Sequence, residues 1–209
     1  SYTVIRSSST DDLSFDAGQK LEYTVTNSGS LYFVANATNE GTEIFKLDNP
    51  GTAAAVGGYL DTGAVVKDIV AGMGGSTPTN LVSIGDKVYF FATNNFTDLN
   101  NTDQGNGREL WGINGATTAL VKDIRGGTDS SIGSQAEMVV YQNRLYFTAD
   151  DGTGGTELWT SDGTDAGTQA IVINAAAGAG ADPTGLTPVG NSLFFAATDG
   201  ANGQELWSI

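Results

Sequence analysis

Apolar residues in this chain come in short runs, and clusters of Gly, Asn, Asp and Ser separate them. The aromatic-rich runs are the clearest: Leu31-Tyr32-Phe33, Val88-Tyr89-Phe90, Leu145-Tyr146-Phe147 and Leu193-Phe194-Phe195. Each is preceded by another apolar segment, at 21–25, 81–84, 138–141 and 186–189, and followed by an alternating tripeptide. The tripeptides are Glu43-Ile44-Phe45, Glu109-Leu110-Trp111, Glu157-Leu158-Trp159 and Glu205-Leu206-Trp207. After the first three comes a β-branched run, at 65–69, 120–124 and 170–174. Short runs rich in Val, Ile, Tyr, Phe and Trp with such punctuation predict strands, and no long segment carries a helical period. The chain therefore reads as four copies of a unit of roughly fifty residues, each with four strands, a to d.

The fourth copy stops after strand c, while residues 2–6 have the d pattern at the other end of the chain. That split predicts an all-β fold, a four-bladed β-propeller of four-stranded antiparallel blades in which the N-terminal strand completes the last blade. The blades are expected at about 19–70, 79–125, 135–175 and 184–209 with 1–7, in one domain. Other closed β architectures, a sandwich and a solenoid are the alternatives. The aromatics at 45, 111, 159 and 207 are expected as packing between sheets. The four glutamates share their faces, so each carboxylate is expected to be at least partly buried and must be hydrogen-bonded. They are expected to accept backbone N–H bonds that tie a blade to its neighbour or to its own b–c loop, with calcium coordination as the alternative.

Composition narrows the chemistry. The chain of 209 residues has no Cys and no His, which excludes disulfides, zinc and haem sites built on those residues, and Ser-His-Asp or Cys-His catalysis. With 24 acidic and 9 basic residues the net charge is −15, which argues against nucleic acid and anionic membrane surfaces and suits solubility or cation binding. No run reaches the ~18 apolar residues of a membrane span, so no membrane insertion is expected. The chain opens directly on a strand without a basic leader, which reads as a mature protein or an excised domain.

At the Glu tripeptides the sequence resembles a bacterial repeat family known by its Glu-Leu-Trp-x-x-Asp-Gly-Thr signature. Residues 157–164 carry it whole, and Asp165-Ala166-Gly167-Thr168 continues it. Val66-Lys67-Asp68-Ile69 and Val121-Lys122-Asp123-Ile124 match what often follows in the family. The other copies depart: Glu-Ile-Phe in the first, Asn114-Gly115 for Asp-Gly in the second, and no following turn in the fourth. The resemblance implies a secreted or surface-attached bacterial protein, often part of a larger polypeptide, and implies little about ligand or activity.

Candidate chemistry lies in the b–c loops, which a propeller would gather on one face. The insertion at 94–107 breaks the repeat, and Asn94, Asn95, Phe96, Asp98, Asn100 and Asp103 mix amides, carboxylates and an aromatic ring in a way that suits a glycan or protein ligand. Asp150, Asp151 and Asp199 are candidate calcium ligands, since Ca²⁺ takes six to eight oxygens, although turn formation explains the same residues. A second irregularity, 49–63, is expected to be an extended turn. The function expected is a non-enzymatic extracellular binding or adhesion module. The alternatives are a calcium-stabilised spacer of a large surface protein and a secreted carboxylate glycosidase or lyase.

Overall fold

A computed structural model of the chain describes residues 4–6, 21–37, 41–48, 59–61, 64–70, 74–94, 96–97, 103–175 and 178–209. Among these residues the fold is all-β, with no helix. Four antiparallel sheets account for most of it. The first holds β2 (Tyr23–Val25), β3 (Leu31–Ala37), β4 (Gly41–Leu47) and β6 (Ala64–Val65), in that order. The second orders β7 (Thr79–Ile84), β8 (Lys87–Thr93), β11 (Arg108–Asn114) and β12 (Thr117–Lys122). The third is β13 (Met138–Tyr141), β14 (Arg144–Asp150), β15 (Thr156–Ser161) and β16 (Gln169–Ile171). The fourth has three strands, β17 (Thr184–Val189), β18 (Ser192–Thr198) and β19 (Gln204–Ser208). The strands a to d of the sequence repeat are therefore consecutive neighbours in each sheet, and turns of the expected chemistry join them. Between β13 and β14, Gln142 and Asn143 both take positive φ (47° and 60°), as a two-residue hairpin of the primed type requires. Between β15 and β16, Asp162 accepts the Thr164 N–H at 2.9 Å and Gly163 has φ 86°, the expected Asp-Gly turn.

Two smaller pairs lie outside the repeat. β9 (Phe96–Thr97) and β10 (Asp103–Gln104) form an antiparallel pair within the 94–107 insertion. β1 (Val4–Arg6) pairs in parallel with β5 (Tyr59–Asp61), Val4 opposite Tyr59. This corrects the expectation that residues 2–6 complete the last sheet: residues 4–6 form a strand, but their partner is β5. A β-branched extended segment takes whatever open edge it meets. Here that edge is β5, a strand between β4 and β6 that the repeat pattern does not contain. The rest of the expected extended turn at 49–63 lies outside the described residues, as do residues 38–40 of the first b–c loop.

The chain divides into two compact units. One comprises residues 1–104 with 113–118, the other 105–112 with 119–209. In the first, Phe33, Ala35, Ala37, Phe45 and Leu47 form a buried cluster, with Phe33 and Phe45 paired across β3 and β4 and their rings stacked 6.0 Å apart. In the second, Tyr141, Leu158, Ala181, Leu186, Leu193, Phe195 and Ala197 form another. Leu158 thus meets the alternate residues of β18, which is how the third sheet buries its outer face against the fourth. Trp111 and Trp159 are buried, and the Trp159 indole N–H donates to the Ala149 carbonyl at 3.1 Å. Trp207 makes the same bond to Ala197, at 3.0 Å.

Candidate functional site

The three glutamates at 43, 109 and 157 are buried, and each is held by the linker that leads from its own sheet to the next. Glu43 accepts the Ser76 backbone N–H at 2.7 Å and the Ser76 hydroxyl. Glu109 accepts the Ser131 N–H at 2.9 Å, the Ser131 hydroxyl and the Ile124 N–H at 3.0 Å. Glu157 accepts the Ile173 N–H at 3.4 Å and that of Ala181. Backbone bonds flank each carboxylate in the same register. The N–H groups of Thr77, Ile132 and Asp182 donate to the carbonyls of Thr42, Arg108 and Thr156, each the residue before the glutamate. The carbonyls of Ser76, Ser131 and Ala181 accept from Thr93, Asp150 and Thr198, each on the second strand of the following sheet. One linker residue therefore stitches two sheets, and the glutamate closes the stitch. Burial pushes the carboxyl of Glu43 up to about 7, and that of Glu109 likewise to about 7, against the accepted hydrogen bonds; burial raises Glu157 as well. The expectation that these glutamates tie neighbouring repeats through backbone donors holds at all three positions.

The calcium candidates fall in turns that use their oxygens locally. Asp150 accepts the Gly152 N–H at 2.7 Å and pairs with Arg125, Nη1 to Oδ2 at 3.2 Å. Asp151 accepts the Thr153 N–H at 2.9 Å and its hydroxyl at 2.6 Å. Asp199 accepts the N–H groups of Ala201 at 2.8 Å and Asn202 at 3.1 Å. The Thr153 hydroxyl first holds the Asp151 carboxyl below its ordinary value, and the Ala201 N–H first does so for Asp199. Among the described residues no three His, Cys, Asp or Glu gather as a metal set. Of the insertion residues, Asn94 follows β8 and is half-buried, while Phe96 and Asp103 stand on the β9–β10 pair, two positions whose side chains are not described. Asn95, Asp98 and Asn100 lie outside the described residues.

The structure places a cleft of about 190 Å³ beside the third b–c loop. Asp151, Thr153 and Gly155 of the loop, Glu157 and Trp159 of β15, and Val172 and Asn174 on the wall that follows β16 line it. Asp151 is a member that the sequence singles out as a calcium candidate, and Glu157 one for which calcium is the alternative to a scaffold role. Trp159 and Glu157 read from sequence as scaffold, and both serve as scaffold while presenting an edge to the cleft. Asn174 carried no signal in the sequence, because its linker only meets the loop after folding. Its Nδ2 donates to the Gly180 carbonyl at 3.2 Å, which fixes that wall. The chain matches none of the known protein families and none of the curated proteins it was compared with.

Proposed function

We propose that the chain is a non-enzymatic binding module of a secreted or surface-attached protein, and that its loops between second and third strands take a glycan or protein ligand. The observation that carries this reading is the cleft beside Asp151. It offers a charged carboxylate, a hydroxyl at Thr153, an amide at Asn174 and an indole edge at Trp159. That mixture of hydrogen-bonding groups around an aromatic ring suits a sugar unit. The cleft is smaller than the ~300–1,000 Å³ of drug-sized sites, so it fits one residue of a longer ligand. The resemblance to the Glu-Leu-Trp repeat family favours an extracellular setting. The four sheets are, in this reading, blades of a β-propeller. The repeated stitch between consecutive sheets supports it, since each junction sets the next sheet by the same bonds.

A carboxylate enzyme is the second reading, and one observation favours it. Asp151 and Glu157 line the same cleft with their carboxyls shifted in opposite directions, as an acid and a base require. The equivalent Glu43 and Glu109 are raised by the same burial in the same structural role, so the shift at Glu157 has a scaffold cause. Binding to a panel of immobilised glycans and surface proteins tests the proposal. A ligand is expected whose binding falls at least ~10-fold, about 1.4 kcal/mol, with Asp151→Ala or Asn174→Ala. Retained binding in both variants, or turnover of the ligand that stops with Glu157→Gln, overturns it.

A further inference from the structure

The three buried glutamates receive the same backbone donors but not the same side chain. Each takes two N–H groups, from Val70 and Ser76, from Ile124 and Ser131, or from Ile173 and Ala181. At the first two junctions a serine hydroxyl, of Ser76 or Ser131, adds a third bond. At the third junction Ala181 stands in that place and has no hydroxyl to give. Glu157 therefore keeps acceptor capacity that Glu43 and Glu109 have filled. It is also 6% exposed where those two are 0%. The space it reaches is the cleft beside Asp151.

Charge sorts the groups that could fill that capacity. Asp151 and Glu157 both line the cleft, and among the described residues no Lys or Arg lines it. Arg125 is paired with Asp129 and Asp150. A uronate, sulfate or phosphate would face two carboxylates without a counter-charge. An ammonium group has the opposite character, three N–H donors and no acceptor. Burial first, and then the charges of Asp182 and Asp151, raise the Glu157 carboxyl. A cation between Glu157 and Asp151 offsets that repulsion. Trp159, Ala170 and Val172 supply carbon surface, and Val172 is 64% exposed. Carboxylates beside an apolar wall, in about 190 Å³, suit a pyranose ring that carries an amine.

From this geometry we infer that the cleft takes an amino sugar whose amine is free and protonated. The ammonium donates to Glu157 in the place of the absent serine hydroxyl, and to Asp151, with the ring against Val172. Asp151 is held ready for this, since both of its Thr153 bonds fall on Oδ1. The inference rests on the reading of this cleft as a ligand site and adds the chemical class of the ligand. It also gives Glu157 a part in specificity besides its part in the scaffold.

The probes are the β-1,4-linked trimer of glucosamine, its fully N-acetylated counterpart and the corresponding trimer of glucose. Each is titrated calorimetrically into the full chain at about pH 6, where the amine is protonated. The glucosamine trimer is expected to saturate one site, to bind at least ~10-fold tighter than the other two, and to weaken as salt rises. Ala181→Ser gives the third junction the hydroxyl of the other two, so the fold is kept and affinity for the glucosamine trimer is expected to fall at least ~5-fold. Asp151→Ala should lower it as well. If Glu157 is scaffold alone, Ala181→Ser leaves the affinity unchanged, and that result overturns the inference. Equal or tighter binding of the acetylated or glucose trimer overturns it too, while loss of that binding with Asp151→Ala would keep the cleft a sugar site. A short peptide with a central lysine that binds as tightly as the glucosamine trimer would assign the site to a protein amine, which also overturns it. No saturation by the glucosamine trimer up to ~10 mM overturns the inference; the reading beneath it falls only if the wider panel of glycans and surface proteins yields no ligand either.

Discussion

Glu109 sits fully buried between two sheets and accepts bonds from two backbone N–H groups and one hydroxyl. Those donors favour its carboxylate, yet burial outweighs them and moves the carboxyl from its ordinary 4.5 to about 7. Glu43 behaves the same way. The folded chain therefore holds these protons more tightly than the unfolded chain does. The stability they contribute is fully present below about pH 4.5 and is lost as pH rises through about 7. An amide at position 109 cannot ionise, but its nitrogen cannot accept the backbone N–H that one of the two carboxyl oxygens now takes from Ile124 or Ser131. Glu109→Gln is therefore expected to lower the urea midpoint at pH 5 relative to the parent, and to reduce the fall in midpoint between pH 5 and pH 8. A variant with the parent's full pH slope would show that burial does not control this carboxyl. The burial of the glutamates was legible in the sequence, because Glu43, Glu109 and Glu157 share a strand face with a large aromatic residue. Their donors were not, because Ser76, Ser131 and Ala181 lie in linkers that carry no common pattern.

Strands and turns follow alternation closely, and most ends shift by only a few residues. β17 begins at Thr184 rather than at Leu186, and β16 ends at Ile171 rather than at Asn174. The fourth strand is the least faithful element: β6 is Ala64–Val65, so only Val65 of the run expected at 65–69 is strand. The reason is the linker, which must leave the sheet early enough to reach its glutamate. The third linker passes close to β15 at Gly180, where a Cβ would stand 2.4 Å from the Thr156 nitrogen and 2.5 Å from its carbonyl oxygen. Gly115, in the β11–β12 turn, has φ 60° and open space around it. Gly180→Ala is thus expected to push two backbones apart and destabilise by ~2–4 kcal/mol, as strained core substitutions do. Gly115→Ala carries only the left-handed penalty of ~1 kcal/mol. Thermal melts of the two variants check the order, and an equal loss would mean that the linker moves aside freely. From sequence both glycines read alike, as turn residues.

For the whole molecule, four repeated sheets are observed and the ring remains a proposal. A ring of four blades is a compact body, and for 209 residues a compact fold has a radius of gyration of about 17 Å. Solution scattering near that value is expected if the sheets close on one another as blades. A markedly larger radius, with an extended distance distribution, would favour an open row of repeats. The net charge of −15 belongs at this scale too. Part of it lies in turns, where Asp151, Asp162 and Asp199 each accept a neighbouring N–H, so these carboxylates have local work before any cation is considered.

The sequence by itself determined the all-β class, the four repeated sheets, the strand order within them and the burial of the glutamates and aromatics of the first three repeats. These depend on alternation, turn chemistry and recurrence, which are local or periodic and can be read along one dimension. Only the tertiary structure decided what the glutamates bind, where the cleft beside Asp151 lies and which edge Val4–Arg6 takes. Each of those is a meeting of segments far apart in the chain. Trp159 of β15 and Asn174 of the linker after β16 line one cleft, and β1 pairs with β5, a strand far from it in the chain. Hydrogen-bond groups on an open edge accept any extended partner, so the pairing follows from proximity in the fold and leaves no mark on the pattern of residues.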